Sequence, residues 1–342
     1  MPKRNLIRVL SGPASHALPL GKLISITGQQ RILPFYHAVA DEPPPHLKHV
    51  LKIRNIKTFR EDLGFLQKHF QPVDARQLLD AVTGKTHITR PYFHLTFDDG
   101  LKECSTVIAP ILREKGIPAT FFINTGFIGN REMFFRYKAS LLMDRLTELS
   151  PVQENAFHET LNTVSIPPGN LKKRLLTVRY KQKEVLENLA VTAGLSFKAY
   201  AVNKEVYMNA EDIAGLQQSG FTIGSHAIDH PLFATISGEE RRRQVRESLQ
   251  FLTAHFRIAP ALFSFPFSDE GVPAEFFRQL YPPEGVTDLS FGVSGLKADI
   301  TPLHLHRIPM ETGHDSARQI IGGEYLYFLF KSVPGRNKIH RK

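Results

Sequence analysis

His94-Leu95-Thr96-Phe97-Asp98-Asp99-Gly100 reads as an apolar strand that ends in two adjacent carboxylates and a glycine. Far downstream, Gly224-Ser225-His226-Ala227-Ile228-Asp229-His230-Pro231 ends a second strand-like run in two imidazoles. One carboxylate and two imidazoles can hold a divalent metal while leaving a coordination position open, and the second carboxylate is then free to act as a base. This is the equipment of a metal-dependent hydrolase. An isolated Asp-Asp-Gly is a common turn and a lone His-x-x-x-His is common too; it is their joint occurrence, each at a strand end, that points to a metal site. The His spacing also matches the zinc-protease signature, but Ala227 stands where that motif needs its Glu, so the base must come from elsewhere. Pro231 biases His230 away from helical dihedrals, which places the pair on a turn after a strand.

Helical and strand-like segments alternate around these motifs, the rhythm of a parallel α/β fold. Residues 58–70 carry Phe59, Leu63, Leu66 and Phe70 at helical spacing, and residues 75–82 form a second helix. A strand over 92–97 holds both Asp residues at its C-terminal end, where an α/β barrel keeps its chemistry. The spacing predicts a helix over 105–115 and a strand over 119–124. Asn209 caps a helix that Gly220 ends before the strand 221–224, which delivers His226. Ser237-Gly238-Glu239-Glu240 forms a capping box, and Val245, Leu249, Leu252 and Phe256 trace the buried stripe of its helix. Residues 128–207 break the rhythm with helical stretches over 133–149 and 171–189, separated by Pro167-Pro168-Gly169, and exceed an ordinary barrel connection. They are read as a helical insertion beside the active-site face, there to shape a groove, dock a partner or extend the packing.

With these motifs in view, the chain resembles the polysaccharide deacetylases, or NodB-homology proteins. Thr96 to Gly100 matches the family's first motif at every position, and His226 and His230 match the two metal-binding positions of the second. Leu33-Pro34-Phe35-Tyr36-His37-Ala38-Val39 looks like the opening barrel strand, and Pro118-Ala119-Thr120-Phe121-Phe122-Ile123 like a later one. The resemblance covers roughly residues 30 to 310 and implies a distorted (β/α) barrel over 30–315, preceded by an extension over 1–29 and followed by a helix and basic tail over 316–342. It implies Asp98 as catalytic base, Asp99, His226 and His230 as metal ligands, and a divalent metal, zinc with cobalt or nickel as substitutes. The third motif departs from the family pattern: Phe263-Ser264-Phe265-Pro266-Phe267-Ser268 lacks both its Arg and its Gly. Its nearest counterpart gives the Phe267 N–H to the oxyanion. In Leu303-His304-Leu305-His306-Arg307-Ile308-Pro309 the candidates for general acid are His304 and His306, with His306 taken as the donor and a structural pair as the competing reading. His37 is either a pocket wall or a strand histidine bonded to backbone, and His94 is structural.

Composition bounds the rest. The chain has 342 residues, 42% apolar and 22% charged, enough for one large barrel or two average domains. Its single Cys104 excludes a disulfide framework and reads as a buried thiol. The net charge of +10 comes from 43 basic and 33 acidic residues, with Lys3, Arg4 and Arg8 at one end and Lys331, Arg336, Lys338, Arg341 and Lys342 at the other. These basic termini form a solvated surface or a peripheral contact with an anionic membrane. No nucleic-acid motif is present, the apolar stretch over 6–13 is too short for a signal peptide, and no run approaches a membrane span. The expected location is cytoplasmic. The expected substrate is an N-acetylated glycan or a lipid-linked sugar, with an O-acetyl ester as the second class. Two alternatives stay open: a weak or inactive glycan-binding relative, and a non-haem iron oxygenase, against which stands the lack of any His with an acidic residue two positions on. A membrane scaffold built on residues 320–330 is a third, but that length suits a packed helix better.

Overall fold

The computed structural model describes residues 18–332 and 335–341. Lys3, Arg4, Arg8, the apolar stretch over 6–13 and Lys342 lie outside them. One sheet of eight short strands runs in the spatial order His304–His306, Leu289–Gly292, Leu262–Ser264, Thr222–Ser225, Ala119–Ile123, Leu95–Phe97, Pro34–Tyr36, Ile308–Pro309. Every neighbouring pair is parallel. The two outermost strands are successive parts of one run of chain, separated only by Arg307. The sheet therefore curls until its ends meet at that residue, and a distorted (β/α) barrel results.

Strand alternation sorts the side chains into two layers. Leu33, Phe122, Leu262, Leu289, Phe291 and Leu305 form one buried cluster. Tyr36, Leu95, Phe97, Phe121, Ile123, Ile223 and Phe263 point the other way and pack against the helices that cover the barrel.

Local signals explain most elements. Asn55 caps the helix Ile56–His69, and Asp74 forms a reciprocal capping box with Gln77 at the start of Ala75–Val82. The run 92–97 divides into two strands. Tyr92–Phe93 belongs to a small sheet with Arg31–Ile32 and Gln71–Pro72, and Leu95–Phe97 to the barrel. His94 sits at the division and bonds Val73 O and Thr120 Oγ1, the structural role expected of it. Ser237 caps the helix Gly238–Phe256 by accepting from Glu240 N, but the Glu240 carboxylate turns to Arg243 and Gln244 instead of back to Ser237. Only half of that capping box forms.

Residues 128–207 hold five α-helices: Phe135–Arg145, Pro151–Thr163, Leu171–Thr177, Val185–Thr192 and Phe197–Lys204. They share a hydrophobic cluster built on Leu142, Phe157, Leu161, Leu175, Leu186 and Leu189, which also takes in Ala38, Leu47 and Leu101 from outside the segment. The helix expected over 171–189 is broken after Thr177, and the single turn Tyr180–Gln182 aims the Tyr180 hydroxyl at Asp229. The C-terminal helix Ala317–Ser332 packs its buried Ile320, Ile321 and Tyr325 onto the body, against the helix Leu20–Thr27. Among the described residues no helix is long and apolar enough to cross a membrane. The basic tail differs from expectation at Arg341, whose guanidinium is buried against Asp269 and Asp299 and is not displayed to solvent.

Candidate active site

Parallel strands deliver the chemistry at their C-terminal ends. Asp98 and Asp99 follow Leu95–Phe97, His226 follows Thr222–Ser225, Ser264 ends Leu262–Ser264, and His37 follows Pro34–Tyr36. Among the described non-glycine residues, eight have positive φ, and four of these line the site: Asp99 (73°), Ala227 (68°), His230 (60°) and Phe267 (58°). Backbone held in this region costs energy, and such strain gathers where function needs a side chain aimed against local preference. Gly100, also left-handed at 69°, completes the turn, and a Cβ there would press on Ile123 at 3.2 Å.

Asp99, His226 and His230 converge, with one ligand atom from each inside a 4.8 Å sphere of mutual distance. Asp99 Oδ1 lies 3.5 Å from His226 Nε2 and 3.3 Å from His230 Nε2. Metal bonds of about 2.1 Å in a tetrahedron separate neighbouring donor atoms by about 3.4 Å, so these spacings suit a cation at the centre. The partners behind the donors point the same way. His226 Nδ1 bonds Ser264 O at 2.8 Å, which turns Nε2 inward, and Tyr137 donates to Asp99 Oδ2. Asp99 Oδ1 is buried with no hydrogen-bond partner among the described residues. A buried oxygen with no hydrogen-bond partner, facing two imidazole nitrogens, makes a donor set that could hold a cation.

Charge states agree. Burial, reinforced by His230 and Arg307, lowers His226 to about 4 against the pull of Asp98 and Asp99, so it is neutral and has a lone pair to give at neutral pH. Burial alone would raise Asp99, but His230 first, then His37 and His226, hold it well below the usual carboxylate range. The Tyr137 hydroxyl is pushed far up by burial and Asp99, so it stays a donor.

Asp98 is held differently. Arg307 grips it with two bonds of 2.7 Å, one to each oxygen, and also donates to Thr96 Oγ1 at 3.0 Å and Ser264 Oγ at 2.7 Å. The guanidinium is packed by Phe35 at 4.4 Å and Phe122 at 5.4 Å. Burial would raise the Asp98 pKa, but Arg307, with help from His226 and His37, brings it below the ordinary value. Asp98 Oδ2 stands 3.9 Å from His226 Nε2, at the border of the ligand set.

Sequence reasoning missed Arg307, although it lies in the stretch read for its histidines. The arginine lacking from residues 263–268 is supplied by the strand that closes the barrel. The same geometry corrects the expectation for His306. Period-two alternation that turns Arg307 inward to Asp98 turns His304 and His306 outward, where His306 meets Asp299 at 3.1 Å and His304 meets Asp269 at 3.3 Å. His306 is not brought to Asp98.

His37 is. Its Nδ1 lies 2.5 Å from Glu311 Oε2, and Glu311 Oε1 accepts from the backbone of His37 and Ala38. Burial works against protonation, but Glu311, aided by Asp99 and Asp98, overrides it and raises His37 to about 9. Phe267 stacks edge-on against His230 at 4.6 Å, and its backbone N–H makes no hydrogen bond to any described residue. Phe134, from the 128–207 segment, covers His230 at 4.2 Å. Gln244 ties down the loop between the two imidazoles: its Oε1 accepts from Ile228 N and its Nε2 donates to Asp229 Oδ1. Cys104 is buried at the rim with its thiol against His37 O at 3.8 Å, and burial pushes its pKa up.

A parallel barrel with two carboxylates, two imidazoles and an arginine at its C-terminal mouth defines a class of hydrolase, and comparison with known proteins gives the family. The polysaccharide deacetylase family model matches residues 85–176 and 183–277, more than half of the chain. The chain belongs to the polysaccharide deacetylase family, hydrolases of carbon–nitrogen bonds other than peptide bonds. Among solved structures it resembles the Streptococcus pyogenes deacetylase PplD in complex with acetate (TM-score 0.53, 13% identity, covering 86% of this chain and 97% of that one). IcaB from Ammonifex degensii is similar at TM-score 0.53, 17% identity, and 86% and 97% coverage. BC0361, a polysaccharide deacetylase from Bacillus cereus, follows at TM-score 0.52, 12% identity, and 86% and 68% coverage. At these identities the likeness is one of fold. No curated protein sequence matches the chain.

Proposed function

We propose that this deacetylase removes N-acetyl groups from a glycan with the help of a divalent metal, zinc by preference, held by Asp99, His226 and His230. The observation that carries the reading is the division of labour between adjacent carboxylates: Asp99 keeps one oxygen free toward two imidazoles, and both oxygens of Asp98 are fixed by Arg307. A cation in that ligand set would supply Lewis acidity to the acetyl carbonyl and to the attacking water. Asp98, kept ionised by Arg307, takes the proton from water as its oxygen bonds the carbonyl carbon. The Phe267 N–H donates to the oxyanion that develops. His37, protonated through Glu311, gives its proton to the departing nitrogen as the C–N bond breaks, and acetate and a free amine leave. Phe134, Phe135 and Phe267 make an apolar wall beside His230, suited to the acetyl methyl and a sugar face.

The family relationship supports an acetylated carbohydrate; the choice of amide over ester rests on the protonated His37, because an amine needs a proton to leave and an alkoxide needs it less. The test is acetate release across N-acetylated polymers, oligosaccharides and lipid-linked precursors, with O-acetylated counterparts, in added zinc, cobalt or nickel. Release from an N-acetyl substrate that stops on chelation supports the reading. Binding of the whole panel without release would mark a glycan-binding protein instead.

A further inference from the structure

Behind the barrel wall lies a second polar cluster that the hydrolytic scheme does not use. Asp269, Asp299, His304 and His306 each offer a ligand atom, all within 4.8 Å of one another. Their side chains are at most 3% exposed. His304 Nδ1 bonds Ser290 Oγ at 2.6 Å, and that oxygen bonds the Tyr281 hydroxyl at 2.6 Å, so Nε2 is turned toward Asp269. The pocket is built into the backbone: a Cβ on Gly292 would lie 2.2 Å from Asp269 Oδ1 and 2.7 Å from His306 Nδ1. Only glycine leaves room for the carboxylate and the ring together.

Arg341 currently balances the charge. Its guanidinium meets Asp269 Oδ2 and Asp299 Oδ2, each at 2.6 Å, and rests on Phe277 at 3.8 Å. The arginine leaves the set incompletely satisfied: Asp269 Oδ1 and His304 Nε2 are buried and make no hydrogen bond to any described residue, although His304 Nε2 lies 3.3 Å from Asp269 Oδ2. Two imidazoles and two carboxylates, two of them with orphan atoms facing inward, are a donor set for a borderline divalent cation.

We propose that Asp269, Asp299, His304 and His306 form a second divalent-cation site, for which the Arg341 guanidinium is an internal competitor. The site joins elements that also reach the hydrolytic centre: Asp269 lies two residues after Phe267, and His306 immediately precedes Arg307. Cation binding exchanges the C-terminal arginine for a tighter link between the 265–271 loop and the barrel-closing strand. The site does not depend on the identity of the substrate.

The experiment uses the full chain with the first site disabled by His226→Ala/His230→Ala, and reads cobalt by equilibrium dialysis and visible absorption. One equivalent of cobalt should bind with a d–d spectrum, and adding Asp269→Asn or His304→Gln should abolish it. Adding Arg341→Gln should strengthen binding by roughly tenfold or more, since the competing charge-assisted bonds are removed. Circular dichroism confirms that each variant is folded. No cobalt uptake by the folded double-His variant, with or without Arg341→Gln, overturns the proposal, as does uptake that Asp269→Asn and His304→Gln leave unchanged. The wild-type chain, binding two equivalents and losing acetate release only with the first, keeps failure here separate from failure of the hydrolytic reading.

Discussion

Replacing Arg307 by Met keeps an unbranched apolar stem, shortens it by two atoms and removes the charge from a place with no solvent: the guanidinium is 0% exposed and Asp98 3%. Deleting one partner of a buried pair costs about 3–5 kcal/mol, most of it the uncompensated charge left behind. Asp98 can escape that cost by taking up a proton. At about 1.4 kcal/mol per pH unit, the same range corresponds to roughly two to four pH units in its titration. In the native chain burial raises Asp98, and Arg307 more than offsets it, so the carboxyl titrates below its ordinary value. Its contribution to stability is then present above the unfolded pKa and is lost as pH falls through the depressed native one. Without Arg307 burial goes largely unopposed, the base is protonated at higher pH, and the acid limb of the activity profile moves upward. Acetate release measured against pH, beside thermal melts of the same variants, reads both consequences. Arg307→Lys restores charge without the two-pronged grip and should lie between wild type and Arg307→Met. An Arg307→Met enzyme with the wild-type acid limb and neutral rate would refute the reasoning.

The alkaline limb should belong to His37. Because Glu311 raises it to about 9, its protonated form and the stability that form contributes persist through neutrality and are lost as pH rises through that value. In Glu311→Gln the main support against burial is gone while Asp99 and Asp98 remain, and the alkaline limb should move down from about 9; a limb that stays put would remove His37 from the proton-donor role. Gln244→Leu frees the loop between His226 and His230, and metal affinity measured by competition with a chelator should weaken roughly 10- to 100-fold, the usual scale for residues that support metal ligands. Tyr137→Phe leaves Asp99 Oδ2 without its donor and should weaken metal binding by a similar factor, with the fold intact by circular dichroism.

How far the sequence could be read depended on how local each signal was. The apolar stripe over 58–70 and the cap at Asn209 are contained within a few residues, and those helices form where these signals place them. Asp98, Asp99, His226 and His230 stood out because strand ends are marked in the sequence by a change from apolar to polar residues. Partners across the barrel carry no such mark. Glu311 meets His37 across 274 positions and Arg307 meets Asp98 across 209, and only the closing of the sheet brings either pair together. Tyr137 was hidden for a different reason, lying in a helical segment outside the barrel rhythm. For His306 the signal existed and was read on the wrong face: strand alternation allows either the two histidines or Arg307 to look inward, and the buried Asp98 carboxylate, which needs a cation, selects Arg307.

The division of labour between Asp98 and Asp99 is tested most directly by measuring bound metal and acetate release together in Asp98→Asn and Asp99→Ala. Asp98→Asn should keep a full equivalent of metal at the first site and lose roughly 10²- to 10⁴-fold in turnover, the scale for removing a general base. Asp99→Ala should lose that metal and the activity together. Wild-type turnover in Asp98→Asn, or undiminished metal at the first site in Asp99→Ala, would contradict the account.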